Sequence, residues 1–164
     1  MDSINKFNKL SKAEFISIFG NIFEKTEWVA EKCYESKPYN NFDELVSKMM
    51  KIFENIEKER HLEILNSHPD LAVEKKLTKD SKKEQKNASL NQCTEEEFLE
   101  FKKLNEEYKK KFGFPFIVAV KGKNKEEILN SFRQRITNNI NLEFEEAKKQ
   151  VKKIANFRLS EIIK

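Results

Sequence analysis

Along most of the chain, apolar residues recur at the i, i+3, i+4, i+7 spacing of amphipathic helices. Ser11-x-x-Glu14 has the form of a capping box, and Phe15, Ile18, Phe19, Ile22 and Phe23 continue one stripe, predicting a first helix that ends near Glu24. Thr26 to Glu31 predicts a second, short helix, broken by Lys37-Pro38-Tyr39-Asn40-Asn41, with Trp28 as a core anchor. Leu45, Met49, Ile52, Phe53 and Ile56 predict a third helix from Phe42, continuing through Leu62, Ile64 and Leu65 to His68 with a kink near Glu57. Val73 to Asp80 is polar and lysine-rich, the composition of a surface connection. Ser81-x-x-Glu84 repeats the capping-box form and places Glu84 and Gln85 in the first turn of a short helix. Thr94-x-x-Glu97 opens a long helix bearing Phe98, Phe101, Leu104, Tyr108 and Phe112 and stopped by Gly113. Asn124 caps a helix through Ile128, Leu129, Phe132 and Ile136 that ends near Asn138-Asn139. The last helix runs from about Leu142, with Phe144, Ala147, Val151, Ile154 and Ala155 facing inward.

One stretch departs from this rhythm. Phe114-Pro115-Phe116-Ile117-Val118-Ala119-Val120 is continuously apolar, and no other segment offers a partner strand. It reads as a buried extended segment whose backbone groups need partners from elsewhere, some of which a polar ligand would supply. The expected fold class is all-α: a single-domain helical bundle of about seven to nine helices with one buried extended segment, residues 1–164 forming one domain.

Composition narrows the function more than the fold. Three glycines and three prolines are too few turn formers for a many-stranded β fold, and 164 residues suffice for a core without disulfides or structural metal. Cys33 and Cys93 form no CxxC pair and have no neighbouring histidine, so they read as reduced thiols of a cytoplasmic protein. The 32 basic residues are interleaved with 28 acidic ones; the net charge of +4 therefore describes salt-laced helix faces better than a nucleic-acid surface. No apolar run approaches the roughly 20 residues of a membrane span, and the amino end lacks a secretory signal pattern, so no membrane association is expected.

A few polar residues are placed oddly for a purely structural role. Proline disfavours helical geometry in the residue before it, so His68, directly before Pro69, belongs where a helix stops. There its ring either faces a cavity or interacts with the helix C-terminus. His61, inside Glu57-Lys58-Glu59-Arg60-His61, is expected to be solvated. Glu84 either serves a site or closes its capping box. Arg158, on the inward stripe of the last helix, either snorkels outward or meets an anion. With Gln85 these residues make an acid–base group, a carboxylate, an amide and an anion clamp. No metal-ligand spacing and no glycine-rich phosphate loop accompanies them. Cofactor-free proton transfer on a small polar anion is the chemistry that remains.

Several blocks, in order over nearly the whole chain, carry a resemblance. They are Phe19-Gly20 with Trp28-Val29-Ala30 and Pro38-Tyr39; His68-Pro69-Asp70-Leu71-Ala72; Ser81-x-x-Glu84-Gln85-x-x-Ala88-x-Leu90; Leu104-Asn105-x-x-Tyr108; Lys111 to Phe116; Arg135-Ile136-x-Asn138; and Ile154-Ala155-x-x-Arg158-Leu159. In these the chain resembles the 2-oxo-4-hydroxy-4-carboxy-5-ureidoimidazoline (OHCU) decarboxylases, which form (S)-allantoin at the end of urate breakdown. The resemblance implies an all-α homodimer without cofactor or metal. It implies a catalytic set of His68, Glu84 and Arg158, and a substrate-binding set of Pro69, Ser81, Lys82, Lys83, Glu84, Gln85 and the segment Phe116, Ile117, Val118, Ala119 and Val120. Ser89 stands where the family usually has glycine, Lys25-Thr26-Glu27 where a Ser-Pro pair is common, and Ile136 where leucine follows the arginine. The competing expectation is a helical adaptor binding nucleic acid or protein through lysine-rich faces such as Lys109-Lys110-Lys111, or a family member whose activity has changed.

Overall fold

The computed structural model describes residues 4–72 and 78–163, and all regular structure among them is helical. The elements are α1 (Ile4–Asn8), α2 (Lys12–Phe19), α3 (Glu27–Glu35), α4 (Phe42–Glu54), α5 (Lys58–Asn66), α6 (Lys79–Asn87), a 3-10 turn at Leu90–Gln92, α7 (Glu95–Phe112), α8 (Lys125–Arg135) and α9 (Ile140–Ile163). This is the expected all-α class. Reciprocal capping boxes form at Ser11/Glu14, Thr94/Glu97 and Asn124/Glu127, and Gly113, at φ +82°, ends α7 in the left-handed conformation that favours glycine.

Boundaries move where local chemistry outweighs the apolar stripe. Helix α2 stops at Phe19 rather than near Glu24; the Gly20 N–H closes its last turn on the Ile16 carbonyl, which a Cβ at position 20 would strike. Ile22, Phe23 and Glu24 are buried beyond the helix. The kink expected near Glu57 is a full break between α4 and α5. Helix α6 begins at Lys79 because Thr78, not Ser81, is its cap: the Thr78 hydroxyl accepts the Ser81 N–H at 3.2 Å. Glu84 therefore lies in the second turn and closes no capping box. Helix α8 ends at Arg135, three residues before Asn138. Of the expected surface connection, residues 73–77 lie outside the described ones, and Thr78 to Asp80 open α6.

Contacts group the chain into two compact units, Met1–Ser67 with Lys152–Lys164, and His68–Val151. In the first, Phe15 packs on Phe19 with ring centroids 4.7 Å apart, and Phe23 stacks on Phe53 at 4.9 Å. His61 belongs to this core rather than to solvent: it is buried, edge-on to Phe53, with Nε2 2.7 Å from the Phe53 carbonyl. That hydrogen bond repays the burial of the ring, a pairing that periodicity does not encode. Trp28 is only partly buried and lies against cations instead of anchoring the core, with Arg60 Cζ 4.8 Å and Lys32 Nζ 5.6 Å from its ring centroid.

The second unit is built around aromatic rings from α7, α8 and the segment between them. Phe116 stacks on Phe132 at 3.9 Å, and Tyr108 meets both edge-on at 5.5 and 5.8 Å. Phe114 to Val120 is buried throughout and is neither helix nor strand, as the continuous apolar run predicts. Each large side chain so enclosed contributes about 1.5–3 kcal/mol of hydrophobic stabilisation, which holds an irregular segment in place without a ladder of its own.

Candidate active site

Helix α5 ends at Asn66 with Ser67 as its cap, so His68 follows the helix directly, as its place before Pro69 requires. The residue is only 9% exposed, so the ring is withdrawn from bulk solvent. The turn that carries it is held from α6 and α7. Gln85 Nε2 donates to the Asp70 carbonyl at 3.2 Å, while Gln85 Oε1 accepts the Ala72 N–H at 3.1 Å. Asn105 Nδ2 donates to the Leu71 carbonyl at 3.0 Å, and Lys109 Nζ donates to Asp70 Oδ2 at 2.6 Å. Ala72 is left-handed at φ +54°, a conformation that costs an L-residue roughly 1–2 kcal/mol and persists because its neighbours are fixed.

On α6, Ser81 and Gln85 are one turn apart and buried, and Glu84 beside them is partly buried. Lys82 and Lys83 are exposed, because a helix cannot turn five consecutive residues to one side. Gln85 is thus brought to the His68 turn, while the amide assigned to substrate already serves Asp70 and Ala72. In Phe116 to Val120, the Ile117 carbonyl accepts from Arg135 Nη1 at 2.6 Å, the Ala119 N–H donates to Gln150 Oε1 at 2.9 Å, and the Val120 carbonyl accepts from the Lys123 N–H at 3.0 Å.

Arg135 also stacks on Phe116, its Cζ 4.4 Å from the ring centroid, and donates from Nε to Glu143 at 3.0 Å. Glu143 is fully buried and accepts further bonds from the Tyr108 hydroxyl at 2.5 Å and Asn138 Nδ2 at 3.0 Å. Burial, then the neighbouring carboxylate, pushes the Tyr108 hydroxyl well above the ordinary tyrosine range, so it stays a donor. Sequence reasoning missed Glu143 and Gln150. Their signal is positional: with Ala147 and Ile154 they share the inward face of α9, where a carboxylate and an amide require partners.

Arg158 lies in the other compact unit. Rather than snorkelling it meets a buried carboxylate: Nη2 donates to Glu24 at 3.0 Å and Nη1 to the Asn21 carbonyl at 2.7 Å. Cys33 is buried, and loss of solvation pushes its thiol up to about 11, so it is protonated at neutral pH and a poor nucleophile. Among the described residues, no three of His, Cys, Asp and Glu gather to hold a metal ion, and no helix is long and apolar enough to cross a membrane.

A family model described as OHCU decarboxylase matches residues 8–160. The chain belongs to the OHCU decarboxylase family. It is 36% identical over 159 residues to 2-oxo-4-hydroxy-4-carboxy-5-ureidoimidazoline decarboxylase of Haloferax volcanii, covering 97% of this chain and 95% of that one. It is 42% identical over 164 residues to the uric acid degradation bifunctional protein of Bacillus sp. (strain TB-90), covering all of this chain but 33% of the relative, so it spans about a third of that protein. The crystal structure of (S)-allantoin synthase superposes with a TM-score of 0.80 at 28% identity, over all of this chain and 54% of that one. For an OHCU decarboxylase family member, the notable feature is how completely the turn after His68 is tied down.

Proposed function

We propose that this chain decarboxylates OHCU to (S)-allantoin, a carboxy-lyase reaction run by side chains without a cofactor, in the cytoplasm and as a homodimer. The observation that carries the reading is the withdrawn His68, on a turn fixed from the helix that bears Glu84. Family membership gives the substrate its name.

Loss of CO₂ from the ring carbon leaves an electron pair that spreads into the adjacent C=N bond. The enzyme must hold that charge and then deliver one proton to one face. His68 polarises the substrate hydroxyl or delivers that proton, with Glu84 fixing its tautomer or holding the ureido N–H groups. Arg158, its charge held in place by Glu24, is the third catalytic residue and binds substrate oxygen. Backbone groups of Phe116 to Val120 receive the ring and ureide amides, and Pro69, Ser81, Lys82, Lys83 and Gln85 complete the binding set. Enclosure by Phe116 and its neighbours disfavours a charged carboxylate and favours release of neutral CO₂.

The test is to generate OHCU in place with uricase and hydroxyisourate hydrolase and follow circular dichroism. Rapid appearance of single-handed allantoin is expected. Racemic product at the spontaneous rate overturns the proposal.

A further inference from the structure

We infer that Gln150 and Arg135 are positioning residues, which fix one edge of the Phe116 to Val120 segment so that the opposite edge, at Val118, is presented to the ureide. The inference deepens the decarboxylase reading and rests on it. In an extended chain, backbone groups two residues apart point to the same side, and those of the residue between point to the other. The Ile117 carbonyl and the Ala119 N–H are such a pair, and both are taken by side chains, from α8 and α9 respectively.

Val118 lies between them and is 4% exposed, yet among the described residues no hydrogen bond reaches its N–H or carbonyl. Buried backbone groups are nearly always paired, so this edge calls for a ligand. A ureido group offers an N–H and a C=O side by side, the same complement that a neighbouring strand would supply. The clamp is itself braced. Arg135 is fixed by fully buried Glu143 and by stacking on Phe116, while Gln150 Nε2 donates to Glu146 at 2.9 Å, which aims its oxygen at Ala119. Neither residue touches substrate; each acts through the segment it holds.

The experiment compares Gln150→Leu and the milder Gln150→Asn with the wild type, by amide hydrogen exchange and by steady-state kinetics on OHCU. The swapped pair Glu146→Gln/Gln150→Glu is the rescue, because it restores an oxygen to Ala119 and a donor to hold it. The expected result is faster exchange at Ala119 with the helices unchanged and a rise in KM of about five- to tenfold, the worth of one hydrogen bond. The kcat should change less than KM, and the swap should reverse both effects. Unchanged Ala119 exchange in a folded variant overturns the clamp, and faster exchange with an unchanged KM overturns its role toward substrate. A wild-type chain inactive on OHCU overturns the decarboxylase reading instead, a result distinct from either because the exchange measurement needs no substrate.

Discussion

Arg158 and Glu24 form an ion pair in which the side chains are 5% and 0% exposed, 3.0 Å apart. Removing one member of a buried pair leaves the other charged and unsolvated, which costs about 3–5 kcal/mol, whereas replacing both with apolar residues is often close to neutral. Glu24→Ala is therefore expected to lower the unfolding free energy by that amount in urea titration. The double variant Glu24→Met/Arg158→Met should recover most of it while remaining inactive, which separates the stabilising role of Arg158 from the catalytic role proposed for it.

Removing His68 should leave binding and abolish most turnover. His68→Ala is expected to lose about 10²- to 10⁴-fold in kcat, the usual worth of a general acid, with KM little changed. Gln85→Leu should disturb both the binding set and the turn that carries His68. It releases the Asp70 carbonyl and the Ala72 N–H together, costing about 1–3 kcal/mol of stability for the two bonds. Its loss of kcat should be smaller than that of His68→Ala, measured on OHCU at saturating concentration.

Ser89, between α6 and the 3-10 turn, adopts φ +63° and ψ +20°. A side chain there carries left-handed strain of roughly 1–2 kcal/mol, partly offset because serine restricts the unfolded chain more than glycine does. Ser89→Gly is expected to raise stability by about 0.5–1 kcal/mol by chemical denaturation. A destabilised Ser89→Gly protein would contradict the strain.

Glu97 is one of the carboxylates that contribute to the acid limb of the stability profile. Lys125 Nζ at 2.8 Å, then the Thr94 N–H, holds its carboxyl below the usual 4.5. A carboxylate with a lower pKa folded than unfolded stabilises fully above the unfolded value, and that contribution disappears as pH falls through the folded one. Thermal midpoints of the wild type should therefore fall below pH 4.5. Glu97→Gln should be the less stable protein at pH 7, with the two curves converging in acid.

The elements with local signals were legible in the sequence. Ser11, Thr94 and Asn124 start their helices because a short side-chain oxygen meets the third N–H, and Gly113 ends α7 because only glycine enters that conformation without strain. His68 was legible for the same reason, through Pro69. What stayed hidden depends on distant partners. His61 looks solvated in its charged run until Phe53 is known to lie beside it. Ser81 reads as a cap until Thr78 displaces it, and the buried partner of Arg158 stays hidden until Glu24, 134 positions away, is brought to its guanidinium.

Trp28 is the chain's one indole, and it lies against Arg60 and Lys32 in the unit that excludes His68 to Val151. Its fluorescence is consequently a local thermometer: emission follows the melting of α3 against α5, whereas far-ultraviolet dichroism averages every helix. Any gap between the two melting midpoints measures how independently the unit carrying the histidine turn comes apart.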